Sequence, residues 1–199
     1  AGKIHYFGGK QEFMYRGLLD GVDMAIMIHT SGGDGCGIGK GSNGCIAKTI
    51  CFQGVAAHAG GAPHMGINAL NAANLGLMAV HAQRETFKND DTIRVHPIIT
   101  KGGSLVNVVP AFVQIETFVR GKSTEAIKDA SAKIDRALQA GAMAMGAECK
   151  IYNLPGYLFS VESPELKSLV EGNIVELVGE DRLGKSPFGG TTEANDVSN

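Results

Sequence analysis

No apolar run in this chain is long enough to span a bilayer, and its first residues lack the basic-then-apolar order of a signal peptide. Neither a membrane partner nor a secretory route is suggested. An excess of charge is missing too. The 18 Lys and Arg stand against 20 Asp and Glu, a formal net charge of −2, which gives no electrostatic case for nucleic acid or an anionic surface. Cysteine is scarce: Cys36, Cys45, Cys51 and Cys149 show neither C-x-x-C spacing nor a dense framework. They read as reduced thiols of a cytoplasmic protein, with Cys51 and Cys149 as small buried hydrophobes.

What is present is ordinary for a globular chain: 44% hydrophobic and 19% charged residues over 199 positions. That length holds one domain with a real core, or a smaller domain plus pieces of another. KIHYF near the start reads as a strand. VDMAIMIH, ending on His29, is a continuous apolar run that suits a strand buried on both faces of a parallel sheet. Thr30 to Gly44 is a glycine-rich loop or hinge. It contains GKGSNG, a literal G-x-G-x-x-G, but CIAKTICF after it reads as a strand where dinucleotide binding needs a helix.

From Cys45 the elements alternate. A strand over 45–57 leads to a helix from about Gly66 to Phe87, with Leu70, Ala73, Leu77 and Val80 on one face. TIRVHPIIT and AFVQIETFVRG follow as strands, the second alternating Val113, Ile115, Thr117 and Val119 with Gln114, Glu116 and Arg120. Ser123 caps a second helix, whose apolar stripe is Ile127, Ala130, Ile134, Leu138, Gly141 and Met145. AECKIYNL closes the set as a strand. The order βαββαβ predicts an α+β, ferredoxin-like domain: a four-stranded antiparallel sheet with two helices on one face. Beyond Tyr157, Ser163-Pro164-Glu165 starts another helix that Gly179 can end. Both chain ends read as cut. The expected division is residues 1–44 as part of a second domain plus hinge, 45–157 as the βαββαβ domain, and 158–199 as a further part of the second domain.

Three positions stand at element edges with side chains suited to an anionic or carbonyl-bearing ligand. His58 follows a strand and enters the Gly/Ala/Pro turn of VAAHAGGAPHMGINAL, Asn107 sits in SLVNVVPAF, and Arg120 closes ETFVRG. Each has a bland alternative: a strand-end imidazole bonded to backbone, a turn amide, and a solvated surface charge. His64 reads as loop structure or a helix-entry contact.

These three segments, in this order and spacing, resemble the dimerisation (lid) domain of the zinc metallopeptidase/amidohydrolase family of aminoacylases, carboxypeptidase G and aminobenzoyl-glutamate hydrolases. The resemblance runs from about Cys45 to Tyr157, and it implies that residues 1–44 and 158–199 are fragments of the family's α/β catalytic domain. It implies that His58 projects toward the active site of the other subunit and donates to the scissile carbonyl oxygen as that oxygen becomes anionic. It implies that Asn107 and Arg120 grip the substrate's carboxylate, for which a guanidinium fork is suited. GVDMAIMIH resembles the family's strand before a zinc-binding histidine, making His29 a candidate metal ligand; its alternative is a core histidine. GGTTEANDVSN resembles a segment near the active site and makes Thr191, Thr192 and Asp196 candidate contacts. Glu12, preceded by Gln11, does not form the family's carboxylate pair and receives no catalytic role.

The implied parent is a homodimeric amidohydrolase with two zinc ions per subunit, replaced by cobalt or manganese in some members. It cleaves an amide beside a free carboxylate in an N-acyl amino acid, dipeptide or aminobenzoyl-glutamate. One histidine is no zinc site, so tight metal binding and activity are not expected of these residues alone. A non-catalytic ferredoxin-like module for dimerisation or small-ligand binding is the alternative, since the fold hosts many functions.

Overall fold

The computed structural model describes residues 8–30, 32–39, 41–184 and 192–199. Its main elements are α1 (Gly9–Tyr15), β1 (Gly44–Gln53), α2 (Ala69–Ala82), β2 (Arg94–Val95), β3 (Ile98–Lys101), β4 (Phe112–Gly121), α3 (Thr124–Met145), β5 (Glu148–Pro155) and α4 (Pro164–Val178). The chain divides into two compact units, one of Cys45–Pro155 and one of residues 1–44 with 156–199.

In the unit of 45–155 the alternating strand forms as expected. Val113, Ile115 and Val119 of β4 are buried, while Phe112, Glu116 and Phe118 point the other way and are exposed. The sheet order is β2-β4-β1-β5, with β3 also on β4, and β5 runs antiparallel to β1 while β2 and β3 run antiparallel to β4. The Gly54 amide donates to the Ala111 carbonyl at 2.8 Å, so the end of β1 meets the start of β4. One expected strand is split: TIRVHPIIT forms β2 and β3 on either side of His96-Pro97, where proline has no N–H to give the ladder.

Both helices lie on one face of this sheet. Ala69, Ala72, Ala73 and Val80 of α2 join Ala130, Ile134, Leu138 and Ala142 of α3 in a single core with Ile50, Phe52, Val95, Val113, Ile115 and Val119. Burying each large aliphatic or aromatic side chain in such a core contributes about 1.5–3 kcal/mol. The helices approach closely because small residues face each other. A Cβ on Gly141 would stand 2.3 Å from the Gly76 nitrogen and 2.6 Å from the Ala72 carbonyl oxygen. α2 begins at Ala69, later than the apolar pattern predicts, because the Asn68 side chain accepts from Leu70 and Asn71 and fixes the start there. Ser123 caps α3 as expected, and Gly146 ends it at φ +69°.

The core face also holds a charge. The Lys48 side chain is 0% exposed, and its ammonium donates to Asp135 at 2.7 Å and to Asn153 at 2.8 Å. Composition and pattern do not flag this lysine.

The other unit is held by its last segment. Asn195 is buried and donates to the Asn43 and Leu158 carbonyls at 3.2 and 2.8 Å, and it accepts from the Ser42 hydroxyl. Gln11 of α1 donates to the Gly156 carbonyl at 2.8 Å and to Asp196 at 2.9 Å. α4 forms as predicted, with Ser163 as its cap. The run Val22–His29 does not form the expected buried strand. It has no regular secondary structure and is exposed, because the described residues supply no neighbouring strand to pair with it. The KIHYF segment lies outside the described residues.

Candidate functional site

His58 is placed by a short two-stranded contact at the end of the sheet where β1 stops and β4 starts. His58 and Val108 form an antiparallel bridge, Ala59 donates to the Asn107 carbonyl at 2.9 Å, and Val109 donates to the Ala57 carbonyl at 2.9 Å. A second bridge, Val55 with Ile67, closes the base of the loop. Gly54 is required there, since a Cβ would come within 2.0 Å of the Ile67 carbonyl oxygen. The loop is thus pinned at its base and along one side, and the imidazole is exposed.

The turn after His58 orients the ring. The backbone N–H groups of Gly60 and Gly61 donate to His58 Nδ1 at 3.2 and 2.9 Å. A nitrogen that accepts two hydrogen bonds carries no proton, so a neutral ring carries its proton on Nε2. His58 is therefore set up as an outward-facing donor. The strand-end alternative of an imidazole bonded to backbone is half right: one nitrogen is used that way, and this leaves the other for a ligand.

Asn107 is brought beside His58 through the backbone, is exposed, and makes no side-chain hydrogen bond among the described residues. Its expected alternative, a turn amide bonded to its own backbone, is not what forms. A concavity of about 520 Å³ opens next to this point, lined by Ala56, the Thr100–Ser104 loop and Val108–Phe112. His64 lies in the exposed 3-10 turn Pro63–Met65 that leads into α2.

Arg120 is not brought to the same place. It lies near the far end of β4, eight residues beyond Phe112, which at strand rise is about 26 Å along the sheet. Its guanidinium sits over the Phe118 ring at 5.3 Å. Its Nε is buried and has no hydrogen-bond partner among the described residues, a state that costs about 1–3 kcal/mol unless an acceptor arrives. Directly across the strand pair stands Arg94, which sequence reading did not single out. Its signal was the alternation around Val95, whose meaning depends on the register with β4.

In the other unit, His29 is exposed, with Nδ1 2.7 Å from the Thr30 carbonyl oxygen. Among the described residues no group of three or more His, Cys, Asp or Glu could hold a metal ion. Thr192 accepts from the Ala194 amide at 3.3 Å, capping the final 3-10 segment; Thr191 lies outside the described residues. Asp196 accepts from the Leu158 amide at 2.7 Å and from Gln11. Burial pushes its carboxyl above the usual range, against the lowering effect of these two bonds. Glu12 of α1 pairs at 2.5 Å with Arg16, the residue that caps the helix's C-terminal end. Lys10 pairs with Glu193 and holds that carboxyl below its ordinary range.

Comparison with known proteins gives a consistent picture. Residues 40–145, more than half of the chain, match the family model described as the peptidase dimerisation domain. The mouse (Mus musculus) Xaa-Arg dipeptidase is 27% identical over 193 residues, which are 94% of this chain and 44% of that protein. One of the p-aminobenzoyl-glutamate hydrolase subunits of Escherichia coli K12 is 28% identical over 175 residues, 86% of this chain and 40% of that one. Among solved structures, the aminobenzoyl-glutamate utilization protein from Klebsiella pneumoniae superposes with a TM-score of 0.67 at 24% identity, over 92% of this chain and 47% of that chain. The chain spans less than half the length of each of these proteins. No helix among the described residues is long and apolar enough to cross a membrane.

Proposed function

The chain belongs to the peptidase dimerisation domain family of metallopeptidases and amidohydrolases, and from that premise we propose that it is part of a longer zinc-dependent amidohydrolase. The substrate class is an amide beside a free carboxylate: an N-acyl amino acid, a dipeptide or an aminobenzoyl-glutamate. The names of the relatives, one a dipeptidase and one an aminobenzoyl-glutamate hydrolase, support that range. That each is more than twice as long as the matched segment supports a longer parent.

The observation that carries the reading is the pair of glycine N–H groups on His58 Nδ1. They leave Nε2–H as a rigidly aimed donor on an exposed loop. A donor held in place before the reaction is what an oxyanion developing on a scissile carbonyl needs, because no reorganisation is then required in the transition state. Asn107 beside it offers a carboxamide, and Arg120 offers a guanidinium for the substrate carboxylate.

The separation of about 26 Å between the two ends of β4 exceeds what one small substrate bridges. A homodimer resolves this: His58 and Asn107 enter a site from one protomer, and Arg120 enters it from the other. An exposed sheet edge favours such pairing. The family is generally metal-dependent, and zinc, cobalt or manganese would belong to the parent enzyme, with His29 as one ligand. The other ligands are not among the described residues, and the roles given to His58, Asn107 and Arg120 are independent of it. Thr191 and Thr192 complete the proposed substrate contacts. The sparse cysteines, without C-x-x-C spacing or a dense framework, are the ground for proposing a cytoplasmic location.

The test is hydrolysis by the full-length, metal-loaded enzyme of a panel of N-acyl amino acids, dipeptides and p-aminobenzoyl-glutamate, each beside its carboxamide analogue. Cleavage that requires the free carboxylate is expected. Ligand binding without cleavage of any member would favour the non-catalytic module.

A further inference from the structure

Arg94 and Arg120 are Cα partners in the antiparallel β2–β4 ladder. Their neighbours Val95 and Val119 are also partners and are both buried in the helix-covered core. Side chains alternate along strands, so both arginines stand on the open face, opposite each other, with Cβ atoms about 5 Å apart. Like charges directly opposite destabilise a strand pair. Nothing among the described residues offsets this, since neither arginine takes part in an ion pair there.

Their other contacts are slight. Arg94 donates to the Ile93 carbonyl at 3.0 Å. Arg120 packs over Phe118, and its buried Nε–H has no acceptor among the described residues. The carboxylate on the same face of β4, Glu116, is four residues away, about 13 Å, and it accepts from Gln114 and Thr100. Two guanidiniums with no carboxylate partner, one with an unsatisfied buried N–H, form a locus that lacks negative charge. A single carboxylate on Arg120 would leave Arg94 uncompensated.

We propose that Arg94 is a specificity-determining residue that binds a second carboxylate, so that the Arg94–Arg120 pair selects substrates whose amino-acid end is glutamate or aspartate. This rests on the proposed placing of Arg120 at the substrate's carboxylate. Arg120 takes the carboxylate shared by every substrate of the class, and Arg94 takes the side-chain carboxylate of the dianionic ones. Neutral residues at that end gain nothing from Arg94. A cationic end, as in a dipeptide ending in arginine, meets it as a like charge.

The test has two arms on the full-length enzyme. In the binding arm, calorimetry on the metal-stripped full-length protein, which cannot turn its ligands over, compares N-acetylglutamate with N-acetylalanine on the wild type, Arg94→Gln, Arg94→Lys and Arg120→Gln. N-acetylglutamate should bind the wild type more tightly and with steeper salt dependence. Arg94→Gln should weaken it roughly tenfold or more, the scale of one charge-assisted contact, while leaving N-acetylalanine within about twofold. Arg94→Lys should restore part of the loss, and Arg120→Gln should weaken both ligands. In the kinetic arm, Arg94→Gln should raise KM for p-aminobenzoyl-glutamate severalfold more than KM for N-acyl-alanine, with kcat little changed for the former.

Equal loss for both ligands in Arg94→Gln, or no loss for either, would overturn the proposal even in an active enzyme. Failure of the hydrolase reading looks different. No substrate would be cleaved, while the Arg94-dependent preference for the dicarboxylate would persist in calorimetry and uphold the proposal. Circular dichroism on each variant separates lost binding from lost fold.

Discussion

Gly61 donates its backbone N–H to Nδ1 of His58 over 2.9 Å, and this bond decides which ring nitrogen is left free to donate. With Gly60 adding a second donor at 3.2 Å, the proton of the neutral ring resides on Nε2. The glycine turn thus orients the ring as well as reversing the chain. Its N–H groups select the Nε2–H tautomer, the one that the proposed oxyanion role requires.

His58→Ala in the full-length enzyme should lower kcat by about 10²–10³, the usual loss for one oxyanion-hole donor. The imidazole is exposed, so circular dichroism and metal content should be unchanged. Gly61→Pro removes one of the two amides and should cost roughly tenfold in kcat, about the worth of one hydrogen bond. A kcat that survives His58→Ala would remove the imidazole from the chemistry.

The buried lysine makes an asymmetric prediction. Asp135→Ala strips the partner from an ammonium that is 0% exposed, and an unpaired buried charge costs about 3–5 kcal/mol. Lys48→Met removes the charge itself and keeps most of the volume, so it should cost less than Asp135→Ala. Urea midpoints of the two variants check the order. Equal midpoints would mean that water reaches the ammonium.

The helix contact gives a packing test. Gly141→Ala places a Cβ against the backbone of Gly76 and Ala72, which cannot move aside as a side-chain end would. About 1–3 kcal/mol of destabilisation is expected, read from the shift in urea midpoint. The same substitution at Gly172 of α4, where a Cβ would meet nothing within 4 Å, should be neutral or slightly stabilising.

Cys149 links stability to alkaline pH. Burial, then the Asp135 carboxylate and Cys51, push its thiol from 9.0 up to about 11. Between these two values the unfolded chain has lost the proton and the folded chain has kept it. The unfolded state then binds fewer protons, so stability falls as pH rises through that window. The fall should be shallower in Cys149→Ala, measured by urea titration at about pH 8 and about pH 10.5. An identical slope in both proteins would contradict the assignment. In thiol labelling of the native wild type, exposed Cys36 should react first.

Much of this was legible in the sequence because single-face burial writes a simple period. The alternation Val113, Ile115, Thr117, Val119 specified β4 and its buried face, and Ser123 with the stripe from Ile127 to Gly141 specified α3. Apolar runs without such a signature were less informative. Val22–His29 reads as a buried strand, yet a strand exists only where a neighbour pairs with it. Contacts set by register were also hidden: nothing local to Lys48 names Asp135 and Asn153, and nothing local to Arg94 names Arg120. His58, Asn107 and Arg120 were marked by their edge positions, but their split between two ends of the sheet appears only once β4 is laid out as one strand.

That split is the core of the account, and subunit mixing tests it most directly. A His58→Ala subunit lacks the donor, and a subunit with its metal ligands mutated lacks a working centre. Each homodimer should be inactive. In the mixed dimer, the metal-ligand mutant's His58 reaches across to the intact centre of the other protomer, so one complete site forms and activity should return. Verified subunit exchange with no recovered activity would contradict the account and place His58 within its own protomer's chemistry, or outside chemistry altogether.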